Sequence, residues 1–523
     1  MNLTALLIIA AVSQPAGYVH SPLDAIGWAA VEIEKIPESQ RSTTRFLYIP
    51  HHAESPAAWM QAASFVLNSL GNSRVDYRPG IEVRGWLLVL NCSEIWPEQK
   101  PLARALAAWD QLAVRGSHYH ILDSETAVGQ RTTISSPVLF GPDQNIGELW
   151  RRLQLATATE SPIFSVDHFI ANSLDQFDDG LYYSFVLPAD VKNESEIFEL
   201  FAGLTPAQMS DLRGKGRAIV HSKVTGKWRR IDAGTAPGIA GAMGVQWART
   251  IDVTDIQAKG QSRNHSLLSP VKQRTAAKEI LFFDGIRMRS FLTDGAGALQ
   301  DEAPPDVAAD IHAGSTTKRL QAGYISCLRC HGPNTGWQPF ENVLSTSMTR
   351  GLTIFDDLEL DPLESRSTLE GLYLQNLNGE ESFFGRSRRD YDYAVLRQTE
   401  LKFEQDGQPL TIPGLRVPQI AETVSEIYAS YRYDMITPLR AAQDLGWNVS
   451  AEDAPGLLRE LWAEAGDEIH PFLSLLQKDI ANIYPSDWAK VKIDAAALAY
   501  EDHAVVIPQV TVPSKEARYE DPN

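Results

Sequence analysis

Apolar and polar positions follow two rhythms in the first half of the chain. Arg45 to Pro50 is a short apolar run of strand length, whereas Ser55-Pro56 opens a helical period carrying Trp59, Ala63, Val66 and Leu70. Serine before proline is a helix start, and Gly71-Asn72 supplies the stop. Val83 to Leu90 reads as one mostly buried strand, Pro101 to Val114 as a helix, and His118 to Leu122 as a strand. A helix is expected over Ser161 to Leu174, then a pair over Glu194 to Leu204 and Thr205 to Gly214. Arg217 to Arg230 has the pattern of a hairpin turning at Val224-Thr225-Gly226. A second hairpin covers Glu279 to Asp294, with its turn at Asp284-Gly285.

The rhythm then changes. Ser367 to Leu377, Arg388 to Gln398, and residues 420–430, 437–445, 455–465 and 471–484 all have helical spacing. Residues 256–275 are polar without a period and read as a linker, and residues 513–523 read as a disordered tail. The glycine-rich stretch Gly238 to Gly244 lacks the strand, GxGxxG and helix order of a dinucleotide site, and it lacks the lysine of a phosphate loop. It reads as a loop.

Composition narrows the classes. A chain of 523 residues with 44% hydrophobic and 22% charged residues is an ordinary globular composition of about three domains' length. The formal charge of −19 argues against general binding to nucleic acid or to an anionic membrane, both of which need clustered positive charge. Three cysteines make no disulfide framework, and Cys92 reads as a small buried hydrophobe. His118 and His120 alternate along their strand and share a face without a cluster of further ligands, while His51-His52 falls in a turn.

Two of the cysteines carry the strongest chemical signal. Cys327-Leu328-Arg329-Cys330-His331 is the C-x-x-C-H pattern of covalent c-type haem attachment. Two thiols must add to two vinyl groups, and an imidazole must then face the iron. On a helix Cys327, Cys330 and His331 stand at i, i+3 and i+4, so all three project from one face. Ser315, Thr316 and Thr317 offer caps, Leu320, Tyr324 and Leu328 form an apolar stripe, and Gly332-Pro333 ends the segment. A zinc site needs four ligands, and the remaining cysteine lies more than 200 residues upstream. A thioredoxin-like pair would need a βαβ context before Cys327, and none is there.

Such haem is attached outside the cytoplasm, so export is expected. Ala5 to Val12 is an apolar run too short to span a bilayer, and Ala11-Val12-Ser13 fits a small-x-small cleavage site. Residues 1–16 therefore read as a signal peptide, although Met1 to Val12 holds no Lys or Arg. No later stretch is long or apolar enough for a transmembrane helix.

The order Glu279-Ile280, Phe291-Leu292-Thr293-Asp294-Gly295, Asp301-Glu302-Ala303-Pro304, Gly323 and Ser326-Cys327-x-x-Cys330-His331 resembles large exported bacterial proteins with one c-type cytochrome domain and a non-haem N-terminal half. Arg45-Phe46-Leu47, Asn68-Ser69-Leu70 and Arg440 to Gly446 are similar too. The resemblance implies one haem c, held by Cys327, Cys330 and His331, and electron transfer with a redox partner protein. The expected fold class is α+β multidomain. It has a mixed α/β N-terminal region (17–275), a mainly helical cytochrome c-like domain (276–405) and a helical C-terminal region (406–512).

The sixth iron ligand decides the class of chemistry. Methionine opposite histidine suits electron transfer, and an open position suits small-ligand or peroxide chemistry. No histidine lies between His331 and His470, so Met348 and Met435 are the candidates, Met348 by proximity. The chain reads as a periplasmic or extracytoplasmic redox carrier module rather than a catalyst. The alternatives are a haem enzyme or gas sensor with an open site, and a partner-binding protein with accessory haem.

Overall fold

The structure is a computed structural model. It describes residues 20–82, 85–114, 120–121, 132–133, 144–174, 181–210, 216–221, 228–236, 245–253, 275–301, 394–395, 397–399, 401–403, 409–410, 417–469, 485–489, 492 and 496. Both helices and sheets are present, so the chain is α+β. No helix among the described residues is long and apolar enough to cross a membrane.

In chain order the first elements are α1 (Pro22–Lys35), α2 (Glu38–Arg41), β1 (Thr44–Tyr48), α3 (Pro56–Leu70), β2 (Gly80–Ile81) and β3 (Leu87–Asn91). They are followed by α4 (Cys92–Ile95), α5 (Gln99–Val114), β4 (His120–Ile121), β5 (Thr132–Thr133), α6 (Gln144–Thr157), β6 (Ile163–Ser165) and α7 (Val166–Ser173). Then come α8 (Tyr182–Val186), α9 (Glu194–Ala202), α10 (Pro206–Ser210), β7 (Gly216–His221), β8 (Trp228–Ala236), β9 (Val245–Val253), β10 (Thr275–Phe283), β11 (Met288–Asp294) and β12 (Leu299–Gln300). The last are β13 (Leu401–Phe403), β14 (Pro409–Leu410), α11 (Val417–Tyr433), α12 (Pro438–Asp444), α13 (Ala454–Ile469) and α14 (Pro485–Trp488).

Local chemistry explains the best-formed helices. Ser21 caps α1 through a full capping box with Asp24 and has proline behind it, and Ser55 caps α3 by accepting from the Ala58 amide. Asn193 and Glu196 make the same reciprocal box on α9, which ends at Gly203 in the left-handed region.

Six strands form a mixed sheet in the order β14-β13-β2-β3-β1-β6. β1 pairs antiparallel with β3 and parallel with β6. Every residue of β1 is buried, and successive side chains of a strand point to opposite faces, so this strand is covered on both. A second sheet is an antiparallel meander, β12-β11-β10-β9-β8-β7. Helix α9 lies against it, with Phe198 meeting Trp247 and Phe282 edge-on and Phe201 stacked on Phe291 at 5.0 Å.

The two sheets share one apolar core. The seam is polar. Arg287 and Arg289 of the second sheet donate to the Gly71 carbonyl that ends α3, and Arg287 also donates to the Ser73 carbonyl. Gln398 links α3 to the β10–β11 turn through Ser64 and the Ile286 carbonyl.

Several expectations meet the structure differently. The single strand over Val83 to Leu90 is a correction: β2 and β3 form a tight antiparallel hairpin, with Gly85 at φ +76° on its turn. The apolar residues on either side of Arg84-Gly85 hid that turn. The helix expected from Ser161 begins instead as strand β6, because Ile163 and Phe164 find a parallel partner in β1. Only Val166–Ser173 is helical there. The hairpins at Arg217 to Arg230 and Glu279 to Asp294 have the expected antiparallel partners. The α3, α5, α9, α11 and α12 helices lie where the spacing places them. The division drawn at 275/276 runs through the second sheet, where β10 pairs with β9. That drawn at 405/406 falls between β13 and β14, which pair with each other. β13 also pairs with β2, so chain beyond residue 400 extends the first sheet. Residues 1–19, 254–274, 302–393 and 497–523 lie outside the described residues, and with them the expected signal peptide, haem helix and tail, and the expected linker except Thr275, which opens β10.

Candidate functional site

Cys327, Cys330, His331 and Met348 lie outside the described residues. Met435 is described. It sits between α11 and α12 and is 48% exposed, so its thioether is not committed to the core. His120 lies opposite Thr133 in the two-residue ladder β4–β5, and His118 is outside the described residues. Among the described residues no group of three or more His, Cys, Asp or Glu side chains is placed to hold a metal ion. Cys92 is 2% exposed, and burial pushes its thiol up to about 11 against the pull of Arg45, so it rests as an unreactive thiol.

The structure gathers a constellation that the sequence did not single out. Strands β1 and β6 run parallel with Tyr48 opposite Ser165, so their carboxyl ends open side by side. In open α/β sheets this is where ligand sites form. Beyond Tyr48 the chain turns through His51 and His52 into α3, and beyond Ser165 it enters α7 at once, bringing Asp167 alongside. From the far end of the sequence, α12 supplies Arg440 and Asp444, α14 supplies Trp488, and Lys492 follows.

His52 is the centre. Its Nδ1 lies 3.2 Å from Asp444 Oδ1, and its Nε2 lies 3.7 Å from Asp167 Oδ2 with no hydrogen-bond partner among the described residues. Trp488 Nε1 donates to the other Asp444 oxygen at 2.8 Å, which fixes the carboxylate that fixes the imidazole. Arg440 approaches Asp167 at 3.5 Å, and Lys492 lies 3.5 Å from the Ser165 hydroxyl. Asp167, Asp444 and Lys492 are buried, whereas His51, His52, Trp59 and Trp86 are only partly covered. The constellation therefore has a buried ionic floor and an aromatic rim.

Electrostatics keeps the floor charged. Burial opposes ionisation of both carboxyls. At Asp444 the His52 imidazole with its hydrogen bond, Lys492 and Arg440 outweigh it, and at Asp167 Lys492, His52 and Arg440 do, so both stay below the usual carboxylate range. Next to His52, His20 donates from Nε2 to the Ile49 carbonyl at 2.7 Å, and its Nδ1 faces His51 Nδ1 at 3.4 Å. Burial drives His20 down to about 3, so it is neutral and accepts from His51. Both His51 and His52 are thus oriented through Nδ1, which leaves each Nε2 facing away from its anchor.

Such a set can orient an imidazole as a proton acceptor, since a base held by a carboxylate is the recurring arrangement of general-base sites. It is also an ion network whose loss of one member leaves an uncompensated buried charge. The only local signal for it in the sequence is a buried run ending in Tyr-Ile-Pro-His-His; Asp444, which accepts from His52, stands 392 positions away. Comparison with protein-family models, with curated proteins and with solved structures finds no match.

Proposed function

We propose that the chain is a c-type cytochrome that binds one haem covalently and transfers electrons outside the cytoplasm. The observation that carries this reading is the order Cys327-x-x-Cys330-His331. Cys327 and Cys330 would form the thioethers, and His331 would take the proximal position. Bound haem supplies one-electron exchange at the iron. Met348 or Met435 would close the distal side, and the half-exposed position of Met435 leaves its sulfur available. The apolar run Ala5 to Val12, with its small-x-small site, supports delivery to the compartment where such haem is attached. In this reading the haem is held by Cys327 to His331, between the described residues Asp301 and Ala394. The partner is another redox protein.

The test is expression with haem-attachment machinery, followed by denaturation and acid–organic extraction. Haem that stays with the chain supports the reading, and haem that leaves with the solvent ends it.

The Asp444–His52 hydrogen bond favours a second reading, in which the α/β body is itself a catalyst using His52 as general base. Protein lacking both thiols (Cys327→Ser with Cys330→Ser) should then turn over activated esters or phosphate esters, and His52→Asn should abolish that turnover. No turnover by the parent protein would remove this reading.

A further inference from the structure

A buried pair one helix deeper than the strand ends joins α11 to α7. The Tyr431 hydroxyl lies 2.7 Å from His168 Nδ1, and His168 Nε2 lies 3.0 Å from the Leu112 carbonyl of α5. A carbonyl can only accept, so Nε2 carries the hydrogen. In the neutral ring Nδ1 then has a lone pair, and the tyrosine O–H donates to it. Asn172, one turn along α7, donates to the His168 carbonyl at 2.8 Å and lies 3.3 Å from Nδ1. Arg432 donates to Asn172 at 3.0 Å and holds it there. His168 is 0% and Tyr431 1% exposed, and Phe164 stacks on the imidazole at 5.1 Å, with Trp109 beyond it at 5.2 Å. The pair is sealed from water and its tautomer is set.

We propose that Tyr431 and His168 form a proton-coupled redox pair. A one-electron oxidant strong enough for tyrosine, of the class of high-valent haem iron made with peroxide, takes one electron from the phenol. The Tyr431 O–H bond breaks as the electron leaves, and the proton forms a new N–H bond at His168 Nδ1. The products are a neutral tyrosyl radical and an imidazolium whose Nε2–H still donates to Leu112. Return of one electron reverses both bond changes. The oxidant's identity rests on the haem reading in its open-site form, with no methionine on the iron; the pair does not.

The surroundings fit this chemistry. Burial is the main influence on both groups: it lowers His168 to about 4 and raises the Tyr431 phenol, so the resting state is neutral imidazole and intact phenol. The ionised Asp167, next in sequence to His168, favours the imidazolium that forms, while Lys492 and Arg432 oppose it. Tyr48 is as deeply buried, but its neighbour is the Ser165 hydroxyl, and Tyr183 donates to the Gln300 carbonyl. Neither partner offers an imidazole nitrogen lone pair to take the phenol proton. Tyr48 is therefore an internal control.

The experiment oxidises the full-length holoprotein in two arms, one with photogenerated ruthenium(III) tris-bipyridine and one with hydrogen peroxide, and records electron paramagnetic resonance after freeze-quenching. A neutral tyrosyl signal is expected. It should be lost in Tyr431→Phe, retained in Tyr48→Phe and weakened in His168→Gln. Difluorotyrosine at position 431 should change the hyperfine pattern without disturbing the packing. An unchanged signal in Tyr431→Phe, or an unchanged pattern with difluorotyrosine, overturns the proposal, as does the absence of any tyrosyl signal in the ruthenium arm. A signal with ruthenium and none with peroxide supports the pair and overturns haem iron as its oxidant.

Discussion

Arg287 reaches from the β10–β11 turn of one sheet to donate to the carbonyl of Gly71, the residue that closes α3 beneath the other sheet. Arg289 meets the same oxygen. Helix ends leave carbonyls unpaired and carry partial negative charge, so two guanidiniums satisfy both needs. Arg287 is 4% exposed, and its removal strands the Ser73 carbonyl in the core and leaves the Gly71 carbonyl to Arg289 alone.

Arg287→Met keeps the apolar stem and removes the donors. It is expected to cost about 1.5–3 kcal/mol, the range for hydrogen bonds to charged groups. Gly71→Ala should also destabilise, because a Cβ there would stand 2.8 Å from Ile95 Cγ2 and 3.0 Å from the Ile95 carbonyl oxygen. Urea unfolding checks both; an Arg287→Met midpoint equal to the parent's would show that the seam does not hold the sheets together.

The ionic floor at the strand ends gives an acid dependence. Asp444 and Asp167 have folded pKa values below their unfolded ones, so their contribution is present above about pH 4–5 and is lost as pH falls through the folded values. Asp444→Asn should cost about 3–5 kcal/mol at pH 7, as breaking a buried ion pair does. The difference between parent and variant should shrink as pH is lowered below about 4. A difference independent of pH, followed by chemical unfolding at several pH values, would contradict the charged assignment.

Two buried imidazoles act at milder acidity. His20 is lowered to about 3 and His168 to about 4 from an ordinary 6.5, chiefly by burial. Below about pH 6.5 the unfolded chain binds protons there that the folded chain refuses, so stability falls with falling pH by about 1.4 kcal/mol per pH unit for each group. The loss should continue down to the folded values. His20→Gln should remove one proton's worth of slope between pH 6 and 4, which the pH dependence of the urea midpoint measures.

The distal ligand can be found by subtraction. Met348→Ala and Met435→Ala should be compared in haem-loaded protein by absorption and by carbon monoxide binding to the ferrous form. Only loss of the true ligand should open the iron to carbon monoxide and lower the potential. Ready binding by the unmutated protein would mean that neither methionine closes the site, and would move the haem enzyme or sensor reading ahead.

The sequence by itself determined what a few neighbouring residues can settle. Ser55-Pro56 starts α3 because the cap and the proline act within one turn, and Asp284-Gly285 folds the β10–β11 hairpin because Asp284 Oδ1 accepts from the Ile286 and Arg287 amides. The C-x-x-C-H order on which the haem proposal rests is read locally too, since its three groups span five residues. Tertiary structure decided the rest. Ile163 to Ser165 is a strand only because β1 lies beside it, and the apolar run ending at Leu90 hides a hairpin that burial folds back. β13 joins β2 from more than 300 residues away. His52 stands between Asp444 and Asp167, and Tyr431 meets His168 263 positions apart. Such pairings depend on which surfaces the packed core brings together, and no local period or spacing encodes that.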